Sequence, residues 1–517
     1  MKRFFCVVLL FVLAVPAFAA PTNNYNLLIA PGTLSETSVV VLWDKQFRNT
    51  AVEYELQLNG KLHGSTTKTN YRITGLKPGA SYTVSLRLKA GTGYTVSLRL
   101  KNEKSKALFA LHFTTAAKGK VYNILDFGAK SDSTFINTKQ IQKAIDACTA
   151  GGTLYIPKGN FVTGALFLKS NMTLHIAEGA VLQGSIDTSD YLPLIKNRFE
   201  GWEMDTYASL INAGTLNRDG SYNVENLRIT GGGTIKGGGK KLELACKAAR
   251  GIRSRGRLIL LMNCRNVSID HLTLTEPPCW TLHYVYSNNI SCHDLTIKTH
   301  GIHNGDGIDP DSSIDSYIFN CIFDTGDDCI AIKSGKNPEG YYVGKPTVNV
   351  RISDCDFKRG HGISIGSEMS GGVSGVLVQD CKAGALLHGL QIKGTKDRGG
   401  YVKNVTVLNC QLLKITIFSA VNYNNDGEAA PVLPVFENFV FKHIDLSQAN
   451  TKEPVINING FSDPAHKLKH VVFSNIKLPA NAKVVINDAE QVRFEEVKMV
   501  DAGKPVYEVK NSTGIVY

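Results

Sequence analysis

Three carboxylates in two glycine-rich runs are the residues of this chain best suited to acid–base chemistry. Asp306 has a glycine on each side, and Asp327-Asp328 follow another glycine in the run DTGDDCIAIKSG, 324–335. Adjacent aspartates on one exposed bend repel each other, which raises the pKa of one of them. A protonated acid beside an ionised base is the pair that glycoside hydrolysis requires. The alternative is a plain surface turn, because Asp and Gly are common turn residues.

The residues after the doublet predict the strand that positions it. The isoleucines of CIAIK alternate with other side chains up to Lys333, which is the period of a β-strand. If the isoleucines fill a core, Lys333 and Asp327 face water. Strict alternation would bury Asp328, which is very costly for an ionised carboxylate. We therefore expect the chain to bend at Gly326-Asp327, which glycine permits.

Short strand patterns, punctuated by Gly, Asn and Asp, continue from about residue 151 without helical patterns between them. They recur roughly every 20–35 residues, which indicates a right-handed parallel β-helix rather than a propeller or a jelly roll. Examples are NMTLHI, NVSIDHLTL, VNVRISDCDF and VKNVTVLNC. One helix is expected from about Asn137, where it could cap the open end of the solenoid. Its apolar stripe is Ile141, Ala144, Ile145 and Cys148.

Six cysteines follow the same repeat, at intervals of 28, 29, 34, 26 and 29 residues. They are Cys264, Cys292, Cys321, Cys355, Cys381 and Cys410. We expect them to be small, buried, mostly unpaired residues stacked along the solenoid. An even number of cysteines in an exported protein permits disulfides, and Cys246 with Cys279 is the pair that we expect if one forms.

Residues 21–117 form a separate unit of short strands with turns between them. The strand patterns are TSVVVLW (37–43), YELQL (54–58) and YTVSLRL (82–88). The stretch 76–82 resembles the L-x-P-G-x-x-Y signature of fibronectin type III-like domains, and Trp43 falls where such a sandwich buries a tryptophan. We expect a small β-sandwich with a spacer or docking role, although the second copy of YTVSLRLK at 94–101 has no obvious place in it. A linker then leads to a β-helix over residues 121–517.

Residues 1–20 predict a secretory signal peptide, with a basic start, an apolar run and a cleavage site at Ala17-Phe18-Ala19. The apolar run is short for a membrane span, and no later stretch is apolar enough. We therefore expect a secreted or periplasmic protein with no membrane span. The formal net charge of +12 suits a polyanionic partner, although a generically basic secreted protein would have the same charge. Nucleic acid fits poorly, because no recognition helix, zinc spacing or aromatic RNA-binding motif occurs.

Several motifs in order, from about Val121 to at least Pro434, resemble the polygalacturonase-like glycoside hydrolases, which degrade pectin on a β-helix. The motifs are YNILDFGAK, RFEG, ITGGGTIKG, GRLILLMNC, WTLHYV, NGDGIDPDSS, GDDCIAIKSG, GHGISIGSE and LQIKGTKDRGG. The resemblance implies an inverting hydrolase that cleaves α-1,4-galacturonosyl links of pectic polysaccharide. It implies that Asp327 is the general acid, that Asp306 and Asp328 hold and activate the water, and that His361 tunes the acid. Lys393 matches a lysine that binds a substrate carboxylate.

Other residues near LQIKG are expected to contact substrate. Gln391 and Lys393 point outward, on the same side as Lys333. Gln391 stands where the family usually has arginine, and a glutamine cannot supply a bidentate charged fork. Arg398 could compensate, or the adjacent subsite could hold a neutral sugar such as rhamnose, so a rhamnogalacturonan-directed hydrolase is an alternative. Tyr423 is expected on the far side of the groove.

An exo-acting enzyme is expected, because the added N-terminal domain and the segments 186–217 and 237–256 resemble exo-acting members with one end of the groove blocked. Four arginines in and beside the second segment could bind a terminal uronate, or form a solvated basic loop: Arg250, Arg253, Arg255 and Arg257. We expect no cofactor, no metal and a monomer. Two further hypotheses are a pectate lyase, which would need calcium and a basic proton abstractor, and a non-catalytic pectin-binding protein.

Overall fold

The structure is a computed structural model that describes residues 26–45, 53–88, 109–419 and 427–517. The expected signal peptide, the second copy of YTVSLRLK and Tyr423 lie outside the described residues. Within these ranges, no helix is both long enough and apolar enough to cross a membrane.

Seven short strands build the N-terminal unit as two facing antiparallel sheets, one of three strands and one of four. Trp43 packs edge-on against Tyr54 in its core, with ring centroids 5.2 Å apart. The hydroxyl of Tyr82 accepts a hydrogen bond from the backbone N–H of Lys77 at 2.9 Å, as a tyrosine corner does. The strands are β1 (Leu28–Ile29), β2 (Val39–Leu42), β3 (Tyr54–Leu58), β4 (Lys61–Thr66), β5 (Asn70–Ile73), β6 (Ser81–Leu88) and β7 (Phe109–Thr114). The order in the first sheet is β1-β2-β5, and the order in the second is β4-β3-β6-β7.

The rest of the chain is a parallel β-helix, so the expected fold class is confirmed. Helix α1 (Thr138–Ala147) packs on its first coil through Ile141, Ala144 and Ile145, as the apolar stripe predicts. The first strands are β8 (Val121–Asn123), β9 (Gly152–Ile156), β10 (Gly159–Thr163), β11 (Leu166–Leu168), β12 (Met172–Ile176), β13 (Ala180–Gly184), β14 (Ile195–Phe199), β15 (Trp202–Thr206), β16 (Ile211–Ala213), β17 (Val224–Gly231) and β18 (Thr234–Lys236).

The middle coils follow helix α2 (Gly239–Arg250) and include the short helix α3 (Glu339–Val343). Their strands are β19 (Ile259–Met262), β20 (Cys264–Asp270), β21 (Thr273–Thr275), β22 (Leu282–Val285), β23 (Asn288–His293), β24 (Thr296–Lys298), β25 (Ile308–Asp311), β26 (Ile314–Phe319), β27 (Ile322–Asp324), β28 (Asp328–Ile332), β29 (Thr347–Ser353) and β30 (Asp356–Ile365).

The last coils have longer strands and continue to the end of the chain. They are β31 (Val373–Gln379), β32 (Lys382–Gly394), β33 (Tyr401–Gln411), β34 (Ile415–Ser419), β35 (Val435–Asp445), β36 (Ile456–Asn459), β37 (Leu468–Leu478), β38 (Lys483–Asn487), β39 (Ala489–Met499) and β40 (Val506–Lys510).

Each coil stacks in register on the next, so that like residues pack on like. One buried row runs through Ile308, Ile330, Ile363, Leu390 and Ile415. The side chains that alternate with this row point outward from one face of the solenoid, and that face carries the candidate site. Stacking buries apolar area that a single coil could not cover, which is why the coils are stable only as an array.

The cysteines are buried and unpaired, as the repeat predicts. Ten described cysteines are free thiols, including the six that follow the repeat. The expected pairing of Cys246 with Cys279 is wrong, because both are free. Each lies buried among side chains of the first and middle coils, where a thiol packs as a small apolar residue.

The N-terminal sandwich lies against the side of the solenoid formed by the row β26, β29 and β31. Val40 and Leu42 of the sandwich share one apolar cluster with Tyr317 and Phe319 of β26. Polar contacts surround this cluster, because Lys45 pairs with Asp380 at 2.6 Å and other bonds join the two units. These bonds are Gly32 N–H to Asn266, Lys68 to Asn320, Asn70 to Asp354 and Gln379 to Thr69.

Candidate active site

The two aspartate runs lie on successive coils, because β25 pairs with β28. The backbone N–H of Gly307 donates to the carbonyl of Asp328 at 2.9 Å and ties the runs together. The chain bends at Gly326-Asp327 before β28 begins, as expected. A β-bulge between Asp328 and Ile330 then lets the carboxylate point out of the core, while the isoleucine points in.

Glycine is required at this bend by space. A Cβ on Gly326 would lie 2.4 Å from the carbonyl oxygen of Ile302 and 2.8 Å from that of Thr299. The loop after β24 therefore lies directly against the bend, and only hydrogen fits between them.

The bend brings Asp327 and Asp328 to His361 of β30. The Nδ1 of His361 lies 2.9 Å from Oδ1 of Asp327 and 3.9 Å from Oδ1 of Asp328. Asp328 also accepts a hydrogen bond from Ser364 at 2.7 Å, and its other oxygen lies 3.6 Å from Nζ of Lys393. Three successive coils thus contribute to one cluster, and Lys393 points outward as the alternation in LQIKG predicts.

Asp306 lies in the same cluster, but its side chain is more buried than the sequence suggests. Its side chain is 4% exposed and that of Asp328 is 7% exposed, whereas that of Asp327 is 25% exposed. Asp327 is therefore the carboxylate that a ligand in the groove can reach most directly, and the other two form the floor.

Lys333 does not face water, and that expectation is wrong. The side chain is 5% exposed, and its Nζ lies 3.6 Å from Asp306, 3.4 Å from Asp309 and 4.0 Å from Glu368. The ammonium group also lies 4.5 Å from the ring centroid of Trp280. The outward side of β28 is covered here by residues from other coils, so Lys333 supports the floor of the site instead of contacting substrate.

The pKa pattern differs from the one expected for the doublet. Burial, with added repulsion from Asp309 and Asp327, raises the pKa of Asp306 well above its usual value. Burial also raises the pKa of Asp309 to about 7. Burial acts in the same direction on Asp327, but the hydrogen bond from His361 and the charge of that ring outweigh it, so the pKa of Asp327 is lowered.

His361 shows the opposite shift. The hydrogen bond to Asp327 raises the pKa of His361, against the effect of burial. The pair therefore favours a protonated imidazole beside an ionised carboxylate, with the ring nitrogen 2.9 Å from the oxygen that would use its proton.

Two groups in the described ranges have donor atoms close enough to surround a cation. Asp327, Asp328 and His361 form one group, and His271, His293 and Asp294 form the other. In each group a histidine already pairs with a carboxylate of the group at 2.8–2.9 Å. We assign no metal to either, because acid–base pairing accounts for the first group. The second lies beside Arg72 and Arg228, whose charges repel a cation.

The hairpin β14–β15 and α3 contact each other beside the site, and we call this pair of elements the wall. Phe199 stacks on Trp280 with ring centroids 5.3 Å apart. Trp202 donates from Nε1 to the carbonyl of Asn337 at 2.9 Å, which joins the hairpin to the segment before α3. Phe199 and Trp202 belong to the segment 186–217, which the sequence associates with a blocked groove.

Most of the arginines near this wall have a structural role. They neither lie free to bind a terminal uronate nor form a solvated basic loop. Arg255 and Arg257 are fully buried. Arg255 donates to Asn304 and to backbone carbonyls, and Arg257 lies 4.3 Å from the ring centroid of Trp280. Arg253 is partly exposed and pairs with Glu200 at 2.8 Å, so it is the one of these three that a ligand could reach.

Two other predicted binding residues are also buried. Arg398 is fully buried and donates to the carbonyl of Ser367 and to Asn337, so a direct substrate contact is wrong for this residue. Gln391 aligns with Ser364 on the preceding coil and is only 5% exposed. Its Nε2 has no hydrogen-bond partner among the described residues.

Comparisons with known proteins agree with this geometry. The sequence profile of "Glycosyl hydrolases family 28" matches residues 150–487, which is more than half of the chain. The chain belongs to glycosyl hydrolases family 28. The profile of the fibronectin type III domain matches residues 20–109 of this family 28 member.

Relatives extend the similarity over both units. An exo-poly-alpha-D-galacturonosidase of Dickeya chrysanthemi is 28% identical over 94% of this chain and 92% of its own length. A probable polygalacturonase of Vitis vinifera is 34% identical over 64% of this chain and 70% of its own. The family 28 exopolygalacturonase of Yersinia enterocolitica superposes with a TM-score of 0.84 at 25% identity, covering 95% of this chain and 98% of its own.

Several residues of the site could not be identified from the sequence alone. Asp309 and Glu368 each lie within a motif, but nothing local shows that both point toward Lys333. His388 aligns one coil after His361, and the two rings meet edge to face with centroids 5.3 Å apart. The signal that could have found it is the repeat of His-Gly at 361–362 and 388–389.

Proposed function

We propose that this family 28 hydrolase is an exo-acting polygalacturonase that cleaves α-1,4-galacturonosyl links from the end of a pectic chain. The observation that carries the proposal is the contact of 2.9 Å between His361 and Asp327, with Asp328 and Lys393 beside it. This contact brings the exchangeable proton of His361 close to a second carboxylate, Asp328, and to a cation that could bind a uronate, Lys393. All of them lie on one outward face of the solenoid.

Asp327 is the general acid. It receives the Nδ1 proton of His361 and passes a proton to the glycosidic oxygen as the bond to the anomeric carbon breaks. Its partial exposure supports this role, because the acid must reach the leaving oxygen. Lys393 projects from the coil after that of His361, so we place the leaving side of the substrate on that side.

Asp306 and Asp328 hold the attacking water. One of them takes a proton from the water, and the hydroxide oxygen attacks the anomeric carbon on the face opposite the leaving oxygen, which inverts the configuration. Ser364 fixes one oxygen of Asp328 at 2.7 Å, which supports a fixed direction for the lone pairs that face the water. Lys393 binds the substrate carboxylate by charge.

Attack at the chain end is supported by the wall made by β14–β15 and α3. A wall stops a polymer from crossing the site and leaves room for a terminal residue on that side. The relative from Dickeya chrysanthemi, similar over nearly the whole chain, is also named as exo-acting.

The test is the early product pattern from polygalacturonate, measured by chromatography. Release of only a monomer or a dimer from the first minutes, with proton NMR showing the inverted anomer first, is the expected result. A ladder of oligomers would contradict chain-end attack, and ultraviolet absorbance of an unsaturated product would indicate a lyase. Binding without any product would indicate a non-catalytic binder.

Asp327→Asn is expected to lower kcat at least about 1,000-fold while the protein remains folded, because the amide cannot donate a proton to the leaving oxygen. Asp324→Asn is a control, since Asp324 is a nearby carboxylate that pairs with Arg359 outside this cluster. Substantial residual activity in Asp327→Asn would overturn the assignment of the acid.

Gln391 favours a second candidate, a rhamnogalacturonan-directed hydrolase. A neutral amide at this position cannot supply the bidentate charged fork with which an arginine would bind a uronate. Turnover of rhamnogalacturonan oligomers but not of polygalacturonate would select this candidate. If galacturonan is the substrate, Gln391→Arg is expected to lower KM for it.

We also propose that residues 1–20 direct export to the periplasm or the medium and that the mature protein is a monomer. The basic and apolar order of these residues supports export. Mass spectrometry of the exported protein tests it, with a new N-terminus at residue 20 or 21 expected, and light scattering tests the monomer.

A further inference from the structure

Lys333 is the central cation of the floor beneath the proposed reaction site. It lies at the end of β28, where its backbone N–H donates to the carbonyl of Pro310 at 2.8 Å and its own carbonyl accepts from Thr347 at 2.6 Å. Its ammonium group is within 4.0 Å of carboxylates from two other parts of the chain, Asp306 and Asp309 on the preceding coil and Glu368 after β30. The residue is buried, so solvent does not screen these contacts.

We propose that Lys333 is a positioning residue for hydrolysis, which favours the ionised form of Asp306 and holds it in place so that this carboxylate can take a proton from the attacking water. The inference rests on the proposed function. It concerns a residue that does not itself contact substrate, because Trp280 and the three carboxylates enclose its ammonium group.

Asp306 needs such a partner, since its surroundings oppose ionisation. Burial, and then the charges of Asp309 and Asp327, raise its pKa, while Lys333 lowers it. Oδ1 of Asp306 is buried and has no hydrogen-bond partner among the described residues, so that oxygen keeps its lone pairs for the proton of the attacking water. Lys333 lies on the side of the other oxygen, at 3.6 Å, which leaves the unpartnered oxygen as the acceptor.

The other charged groups facing Lys333 do not replace it. Asp328 adds a further negative charge, and Glu368 is held ionised, because the charges of Lys333 and Arg398 outweigh the effect of burial on its pKa. Arg257 lies toward Asp309, and burial lowers the pKa of His283 to about 4, so this ring is neutral. Lys333 is thus the cation that directly contacts Asp306 in the described ranges.

The first experiment compares Lys333→Met with Lys333→Arg and with Lys345→Met. Lys345 is a control, because it also lies over an aromatic ring, 4.7 Å from the centroid of Tyr286, but contacts none of these carboxylates. We expect Lys333→Met to lower kcat about 100-fold with KM changed less than about threefold. The acid limb of kcat/KM should move about one pH unit higher. Lys333→Arg should restore part of kcat, and Lys345→Met should behave as wild type.

A second pair of variants covers the case in which Lys333→Met does not fold. Asp309→Asn removes a neighbouring charge, so the acid limb should move to lower pH. The double variant Lys333→Met/Asp309→Asn removes one charge of each sign from the floor and should fold, while kcat stays low. If the double variant also fails to fold, the shift in Asp309→Asn alone decides, and an unchanged limb overturns the inference.

Other outcomes separate this inference from the proposed function. A raised KM with unchanged kcat in Lys333→Met would mean that Lys333 binds substrate, and wild-type kcat in the double variant would mean that Lys333 only offsets Asp309. Either result overturns the inference while the function stands. A wild-type protein that releases no galacturonate or oligomer would overturn the proposed function itself.

Discussion

The proton required for cleavage can be followed through one contact, between His361 and Asp327. Asp327 raises the pKa of His361, and His361 lowers the pKa of Asp327, so the two groups share one proton. Because this proton is on the imidazole, the pair is ready for catalysis only while His361 is protonated. The pH dependence of the reaction should therefore report the histidine rather than the aspartate on its basic side.

We expect kcat/KM of the wild type to fall as pH rises through the pKa of His361, which lies above 6.5 because of the bond to Asp327. The protonated form is fully present below the ordinary histidine pKa and is lost above the raised one. In His361→Gln this basic limb should disappear, together with at least about 100-fold of kcat/KM. Rates at a series of pH values check both points, and an unchanged basic limb in the variant would contradict the assignment.

Residues of the proposed catalytic cluster could be predicted from sequence because their types and the strand period are local information. Asp306, Asp327, Asp328, His361 and Lys393 all reach one point, as expected. The burial of Lys333 and Arg398 could not be predicted. Alternation shows which side chains point away from the core, but it does not show which other parts of the chain cover those side chains in the fold. The cover over Lys333 comes from Trp280 and Glu368, which are distant in sequence.

At the level of elements, the site depends on a bend that only glycine allows. A Cβ on Gly326 would meet two backbone carbonyls, and backbone atoms cannot move aside as a flexible side chain can. The neighbouring strand has the same requirement, because a Cβ on Gly362 would lie 2.0 Å from the carbonyl of Gly389. Lack of space therefore requires glycine on two successive coils.

Gly326→Ala is expected to lower the free energy of unfolding by about 1–3 kcal/mol. It should lower kcat more strongly, about 10–100-fold, because displacement of Asp327 disturbs its contact with His361. Gly503→Ala is a matched control, since its Cβ would meet only side-chain atoms, at 3.1 Å or more. Urea denaturation and kcat on the same samples check the prediction, and equal effects of the two variants would contradict it.

The repeat of cysteines was predictable at the level of the coil, but the pairing of Cys246 with Cys279 was not. Spacing indicates that residues stack, whereas disulfide geometry depends on distances that spacing does not show.

In the native protein we expect no reaction of the ten described cysteine thiols with a thiol reagent, because all are buried. In denaturant without reductant, all ten should react, and fewer would indicate a disulfide.

At the level of the whole molecule, the N-terminal sandwich is joined to the solenoid through a corner that repeats from coil to coil. Asn320, Asp354 and Asp380 occupy this corner, each with a positive φ of 54°. Asn and Asp are the residues that adopt this conformation most readily, so the corner provides polar side chains at a regular interval. Lys45, Lys68 and Asn70 of the sandwich bind to them, far along the chain from their partners.

Asp354 makes this contact depend on pH. Burial, and then the charge of Asp380, raise its pKa to about 6, against the effects of Lys68 and Lys45. Since the folded protein holds this proton more tightly than the unfolded chain, the contribution of Asp354 is most favourable below pH 3.8. It is lost progressively as pH rises to about 6. Above that pH an ionised carboxylate remains beside Asp380 in the contact.

Asp354→Asn copies the protonated form and keeps an oxygen that can accept the bond from Asn70. The variant is therefore expected to be more stable than wild type by about 1–2 kcal/mol at about pH 7.5 and equal to it near pH 4, after allowance for solvent screening. Asp356→Asn is the matched control, because Asp356 lies two residues away and pairs with Lys358 outside the contact. Thermal unfolding at both pH values, with hydrogen exchange of β2 as a probe of docking, checks the prediction. A lower stability of Asp354→Asn at the higher pH would show that the charge of Asp354 holds Lys45 and Lys68 in the contact, and so would contradict the sign derived from its pKa.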